Sequence, residues 1–411
     1  MAELVVEITS GVDNPTKIAI APVSSRGVTL SENISKIVSD DLTRSGLFKT
    51  IPQQDMLSFP ATANAVRYRD WKILGSEYLV VTQILPREGG QMAVTFSLMN
   101  ITAQKAVFTT TLNGSTNAAR KMAHIISDKV YEAITGVPGA FSTQLLYITS
   151  ERGSNGKIIY RLMRADADGA REVELLRSSE PVMSPAWSPD GKEVLYVSFE
   201  SGRSAIYRQN IATGQSEQLT NFKGINSAPA WSPDGNQLAL TLSKDGNPEL
   251  YLFDLRTRRF KRLTRHFAID TEPTWMPDSK HLLFTSDRGG SPQIYKMNVV
   301  NGKVQRLTFR GSYNARGRLA PDGRTLVMVH RDNGRFHIAA YDLVSKVFQV
   351  LTQTSLDESP TVSPNGAMVL YATKRGNKGV LAAVSLDRGV KFYLPARRGD
   401  VREPAWSPFL R

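Results

Sequence analysis

The chain has no cysteine among its 411 residues. Disulfides and thiolate metal sites are therefore excluded, and an oxidising or a reducing compartment suits it equally. It also has no apolar run long enough to span a bilayer. The start, Met1-Ala2-Glu3-Leu4, lacks the basic segment and apolar core of an export signal. That leaves either a cytoplasmic protein or one whose signal was removed and a starting Met supplied. Gly-x-Ser-x-Gly, His-Glu-x-x-His, a Walker A loop and Gly-x-Gly-x-x-Gly are all absent, so the common catalytic and nucleotide-binding signatures are missing.

Acid is in short supply relative to base. The net charge is +13, and residues 141–411 hold 38 Lys and Arg against 26 Asp and Glu, whereas residues 1–140 hold 13 against 12. A surplus of this size admits nucleic acid or an anionic surface as a partner. Dispersed Lys and Arg on a large β surface more often solubilise it and protect strand edges, which is the reading adopted for this chain.

What the chain does have is one motif repeated six times. The copies are Ala186-Trp187-Ser188-Pro189-Asp190-Gly191, Ala230-Trp231-Ser232-Pro233-Asp234-Gly235, Thr274-Trp275-Met276-Pro277-Asp278-Ser279, Arg318-Leu319-Ala320-Pro321-Asp322-Gly323, Thr361-Val362-Ser363-Pro364-Asn365-Gly366 and Ala405-Trp406-Ser407-Pro408. Their prolines lie 44, 44, 44, 43 and 44 residues apart. A period in the forties built from short strands predicts four-stranded blades, none of which can bury its faces without neighbours. Pro-Asp-Gly is a hairpin turn, because Pro presets φ and Gly tolerates the positive φ that follows. Aliphatic pairs such as Val194-Leu195 and Leu282-Leu283 follow each turn, and Ile206, Leu250, Ile294, Ile338 and Leu381 recur further on. The repeated tryptophans read as packing between blades.

The first unit begins mid-pattern at Leu145, and the last motif ends the chain, so each end supplies what the other lacks. The expectation is a six-bladed β-propeller over 143–411, closed by strand 404–410 pairing with 144–149. Residues 1–135 change period and predict a small α/β domain. Its strands are 4–8, 17–23, 77–85, 91–99 and 105–112, and its helices are 32–44 with Ser31 as cap, 64–74 and 116–134. Residues 136–142, opening with Gly136-Val137-Pro138-Gly139, read as a linker.

Once the repeats are aligned, the residues five to seven positions before each motif proline fall at one mouth of the channel. They include Met183, Asn226, Asp270, Thr271, Glu272, Asp357, Glu358 and Glu403, with Arg316 and Arg402 the basic residues among them. Five acids against two bases predict an acidic funnel suited to a basic or hydrogen-bonding partner segment or to a hard cation near Glu272, Asp357 and Glu358; the alternative is that these side chains satisfy the inner-strand backbone and one another around a water-filled channel. The loops 200–203, 244–247, 287–290, 331–334 and 374–377 rim the same face. His124, His266, His281, His330 and His337 sit at unrelated repeat offsets, which argues against a three-histidine metal site. Asp166-x-Asp168-Gly169 lacks the downstream glutamate of a calcium loop and reads as a hairpin.

Three sets of residues then carry a family resemblance over essentially the whole length. They are Glu3-Leu4-Val5-Val6-Glu7-Ile8 with Ser10-Gly11-Val12-Asp13; Gly136 to Phe141; and Phe199-Glu200-Ser201-Gly202-Arg203, Thr271-Glu272-Pro273-Thr274-Trp275, Leu356-Asp357-Glu358-Ser359-Pro360 and the terminal Pro404-Ala405-Trp406-Ser407-Pro408. In these the chain resembles the TolB family, periplasmic propeller proteins of the Tol-Pal envelope system. The resemblance implies a non-enzymatic, monomeric periplasmic adaptor, with the export signal absent from this chain. It implies binding of the lipoprotein Pal at the mouth, through Met183, Asn226, Thr271, Glu272, Arg316, Asp357, Glu358, Arg402 and Glu403, where colicins and a channel calcium ion are further expectations. It implies binding of TolA by β-augmentation through Glu3, Leu4, Val5, Val6, Glu7 and Ile8. No other cofactor, no nucleic acid and no membrane-embedded segment is expected. The alternatives are a propeller binding nucleic acid or an anionic surface, and a peptidase-related propeller; about 135 leading residues without a nucleophile elbow leave the latter no catalytic domain.

Overall fold

The computed structural model describes residues 6–7, 14–25, 27–387, 389–394 and 399–410. The chain divides into two compact units, Val6–Ser142 with Asp387–Val390, and Thr143–Leu386 with Lys391–Arg411.

In the larger unit six four-stranded blades surround a channel, and the inner strand of each blade packs beside the inner strands of its two neighbours. Blade 1 is built from Gln144–Arg152, Ile158–Asp166 and Val173–Ser178, and its inner strand is Asp400–Trp406 from the other end of the chain. That closing strand pairs Asp400 with Ser150 and Trp406 with Leu145. It spans 400–406 where the repeat pattern predicted 404–410, because the Ser407-Pro408 turn chemistry ends the strand at the tryptophan. Blades 2 to 6 follow in order, with inner strands Val182–Trp187, Asn226–Trp231, Asp270–Trp275, Asn314–Leu319 and Glu358–Val362. Each runs from the rim to the motif turn, and the next strand returns to the rim.

The core lies in wedges between blades, as faces of alternating aliphatic residues require. Leu195, Val197 and Ile206 of blade 2 meet Leu238, Leu240 and Tyr251 of blade 3. The tryptophans add directional ties. Trp187 Nε1 donates to the carbonyl of Ala405 at 3.1 Å, and Trp275 Nε1 to that of Ala230 at 3.2 Å, each on the preceding blade's inner strand. Trp406 Nε1 donates to Thr143 Oγ1 at 2.8 Å. The Asp166–Gly169 segment is a hairpin turn, with Gly169 at φ 81°.

The smaller unit is a mixed sheet in the order Phe48–Ile51, Thr16–Ile20, Tyr78–Pro86, Gln91–Asn100, Lys105–Ser115, the first three parallel. Helices α1 (Ile34–Arg44) and α3 (Ala119–Thr135) cover one face, burying Ile18, Ile20, Val80, Val94 and Phe96. The alternate residues Ala19, Leu79 and Val81 face Trp71 of α2 (Tyr68–Ile73). Three local expectations change. The α1 cap is Asn33, whose side chain accepts the Lys36 N–H at 3.0 Å; Ser31 lies two residues too early. The expected helix 64–74 splits, because Val66 packs into the Trp71 cluster in an extended conformation. Strand Phe48–Ile51 was not foreseen, being too short for a period to show. The expected linker is ordered at its end: Asp128 of α3 accepts the N–H groups of Phe141 at 2.7 Å and Ser142 at 3.2 Å. Gly139 lies so close that a Cβ would overlap the Asp128 backbone.

Candidate functional site

Every inner strand breaks its ladder at the same repeat position. Two residues oppose one: Ser184-Pro185 face Tyr196, Glu272-Pro273 face Phe284, and Glu403-Pro404 face Tyr147, with equivalent shifts in the other three blades. The first residue of each bulge has positive φ: Ser184 53°, Ala228 46°, Glu272 55°, Arg316 54°, Ser359 54° and Glu403 49°. None is glycine, so six left-handed residues are held by their surroundings. Proline follows five of them, since a residue without an N–H suits a strand with one edge free to the channel. Bulges re-aim side chains, and here they build a belt across the channel.

Glu272 anchors the belt. Its Oε2 accepts the Arg316 N–H at 3.1 Å and the Thr285 hydroxyl at 2.9 Å, and its Oε1 accepts Arg316 Nε–H at 2.8 Å. Arg316 also donates to Ser359 Oγ and lies 3.7 Å from Glu403 Oε1. Glu403 in turn accepts the Ser184 N–H. A glutamate at the bulge of one blade thus satisfies the bulge N–H of the next, twice around the ring. Burial works against the charge on Arg316, but Glu272, Glu403 and Glu358 outweigh it and raise its pKa. Arg318, nearer the motif turns, is lowered by burial and donates to Thr274 Oγ1 at 2.7 Å.

The belt borders two cavities. The rim-side one, of about 540 Å³, is lined by Glu272, Arg316, Asp357, Glu358 and Arg402 together with Tyr313, Phe336, Leu356 and Lys374. The motif-side one, of about 500 Å³, is lined by all six inner strands, including Met183, Thr271, Glu272, Arg316 and Glu403. Glu358 and Arg402 are exposed, and Met183, Thr271, Glu272, Arg316 and Glu403 are half-buried.

Two expected contact residues are placed differently. Asn226 is fully buried and lines neither cavity; its Nδ2 donates to the carbonyls of Phe222 at 2.8 Å and Gly224 at 3.2 Å. Asp357 is fully buried too, and its carboxylate accepts the hydroxyls of Thr352, of Thr354 at 2.5 Å and of Thr373 at 2.7 Å. Asp270 is likewise buried and held by Arg288 at 2.7 Å. These three residues staple the loops that enter their strands, so the acidic funnel reduces to Glu272, Glu358 and Glu403. The carboxylates of Glu272, Asp357 and Glu358 do not converge within ligand reach of one another. Sequence reasoning passed over Ser184, Ala228 and Ser359, which share the bulge position; the signal was a proline at a fixed offset inside a predicted strand. Of the N-terminal residues, Val6–Glu7 form a short strand, while Glu3, Leu4, Val5 and Ile8 lie outside the described residues.

Comparison with known proteins agrees with both units. The family described as "TolB beta propeller domain" matches residues 131–410, and that described as "TolB amino-terminal domain" matches 4–107. The chain belongs to the TolB family. It is 60% identical over 406 residues to the Tol-Pal system protein TolB of Pseudomonas putida, covering 98% of this chain and 94% of the relative. Identity to the Pseudomonas entomophila protein is 59% over the same length. The crystal structure of TolB from Acinetobacter baumannii superposes with a TM-score of 0.89 at 43% identity, covering 99% of this chain and all of that one. TolB-family membership assigns the chain to the Tol-Pal system. Among the described residues no helix is long and apolar enough to cross a membrane.

Proposed function

We propose that the chain is a periplasmic adaptor that binds the lipoprotein Pal at the rim-side cavity and TolA through the strand Glu3 to Ile8, supporting outer-membrane integrity and cell division, with colicins as competitors for the same rim. The observation that carries this reading is the Glu272–Arg316–Glu403 belt, whose Glu272 and Arg316 line the rim-side cavity. Its charged groups are spent on one another and on bulge N–H groups, so none is poised as nucleophile or base. The same cavity is lined by Tyr313, Phe336 and Leu356 together with Glu358, Lys374 and Arg402. Aromatic anchors among charged groups suit a protein segment. The arrangement of binding at one unit and strand release at the other requires reciprocal affinities.

A capture experiment from envelope extract tests both contacts, comparing wild type, Glu272→Lys and a deletion of residues 1–10. Glu272→Lys is expected to lose Pal and keep TolA, and the deletion to do the reverse. The same partner set from all three proteins overturns the proposal.

A further inference from the structure

Glu272, Arg316 and Glu403 stand at the same bulge position on the inner strands of blades 4, 5 and 1. The other three bulge positions hold the small neutral residues Ser184, Ala228 and Ser359. With such a residue at 316 as well, two carboxylates would face the channel without a cation between them. Arginine stands there instead, and its guanidinium spans the two acids. Its Nε lies 2.8 Å from Glu272 Oε1 and its Nη2 3.7 Å from Glu403 Oε1, while Nη1 donates to Ser359 Oγ. Burial opposes the charge, yet Glu272, Glu403 and Glu358 together outweigh it and raise the pKa.

A hard divalent cation such as calcium requires six to eight oxygen ligands at about 2.3–2.6 Å. The acids expected to supply them are engaged elsewhere. Glu272 Oε1 accepts Arg316 Nε–H, and its Oε2 accepts the Arg316 N–H and the Thr285 hydroxyl. Glu403 gives Oε2 to the Ser184 N–H and turns Oε1 toward Arg316. Asp357 is enclosed by the hydroxyls of Thr352, Thr354 and Thr373. An ion bound at Glu272 Oε1 would stand beside a guanidinium of its own sign. Along the two cavities Arg316, Arg318, Lys374 and Arg402 face five acids, which leaves little negative charge for a free ion to neutralise.

We infer that Arg316 is the built-in cation of the channel: its guanidinium takes the place between Glu272 and Glu403 that a divalent ion would otherwise fill, so the belt carries no calcium site. The hard cation that the acidic residues suggested near Glu272, Asp357 and Glu358 is replaced by a side chain. Arginine suits the task because it keeps its proton at any physiological pH and presents its donors in a fixed fork. A tethered cation has no dissociation equilibrium. The mouth therefore keeps its charge and shape whatever the calcium concentration.

The test is thermal melting of the full chain in chelator and in about 5 mM calcium, for wild type, Arg316→Asp and Arg316→Gln. Wild type is expected to melt at the same temperature in both. Arg316→Asp adds a carboxylate where the guanidinium stood, and is expected to melt lower than wild type in chelator and to rise by roughly 5 °C in calcium, the shift that an all-oxygen site with a Kd of about 0.1 mM gives a domain of this size. Arg316→Gln removes the cation without adding an acid and is expected to show a smaller rise, which decides the matter where the aspartate variant does not fold. If neither variant gains more from calcium than wild type does, the inference is overturned. A rise of about 5 °C in wild type overturns it without the variants. No partner enters the measurement, so its outcome is separate from that of the capture experiment.

Discussion

Arg316 gives its backbone N–H and its side-chain Nε–H to the two oxygens of one carboxylate, Glu272 of the neighbouring blade, at 3.1 and 2.8 Å. One residue thereby joins two blades through both main chain and side chain, at a point where each backbone has positive φ.

The backbone donor has a second acceptor, the Thr285 hydroxyl at 3.1 Å, so removing the acid falls on the guanidinium. Glu272→Gln is expected to cost about 2 kcal/mol of propeller stability in urea unfolding, from the lost charge-assisted bond to the Arg316 guanidinium. Glu272→Gln/Arg316→Met is expected to cost less than the sum of the two single changes, because each single change leaves the other partner uncompensated. Additive costs would show that the two residues act independently.

The bulge strain is open to measurement at Ala228, which has φ 46° and no functional group in its side chain. Ala228→Gly is expected to stabilise the propeller by about 1 kcal/mol, the left-handed cost of an L-residue exceeding the entropy that glycine adds. Ala228→Val is expected to destabilise it. A destabilising glycine would mean that the surroundings do not hold the position under strain.

The tryptophans of the repeat are not equivalent. Trp275 Nε1 has a carbonyl partner at 3.2 Å, whereas Trp231 Nε1 is buried with none. Trp275→Phe is expected to cost about 1 kcal/mol more than Trp231→Phe in thermal or urea unfolding. Equal costs would assign the indole purely to packing.

Burial raises Asp128 to about 6, against the hydrogen bonds from Ser142 and Phe141 that favour its charged form. Because the folded pKa lies above the unfolded one, stability from the neutral acid is complete below about pH 4 and is lost as pH rises through about 6. Asp128→Asn removes this loss. The variant is expected to gain on the order of 2 kcal/mol relative to wild type between pH 4 and pH 7, read from hydrogen exchange of α3 amides. A difference that stays flat with pH would place the titration elsewhere.

The propeller was legible because a repeat multiplies its own signal. Six prolines at one period, with aliphatic residues at matching offsets, predict blade number and ring closure without any knowledge of packing. The smaller unit was legible where its elements were long: α3 and the strands from Tyr78 to Ser115 fall close to their expected places, while the four-residue strand at Phe48 and the cap at Asn33 did not show.

At the mouth the division has a physical cause. Residue types and repeat offsets, which are local, placed Glu272, Arg316 and Glu403 on inner strands at equivalent positions. Whether an acid at such a position faces the channel depends on which loop folds back over it and on where the ladder slips, and those contacts join residues that are distant in the chain. Asp357 was therefore absorbed by three threonines while Glu358, one residue on, stayed exposed. Composition and period settle how many blades there are and how they close; the register of the bulges, which sets the direction of each side chain, exists only once neighbouring blades supply the hydrogen bonds that hold it.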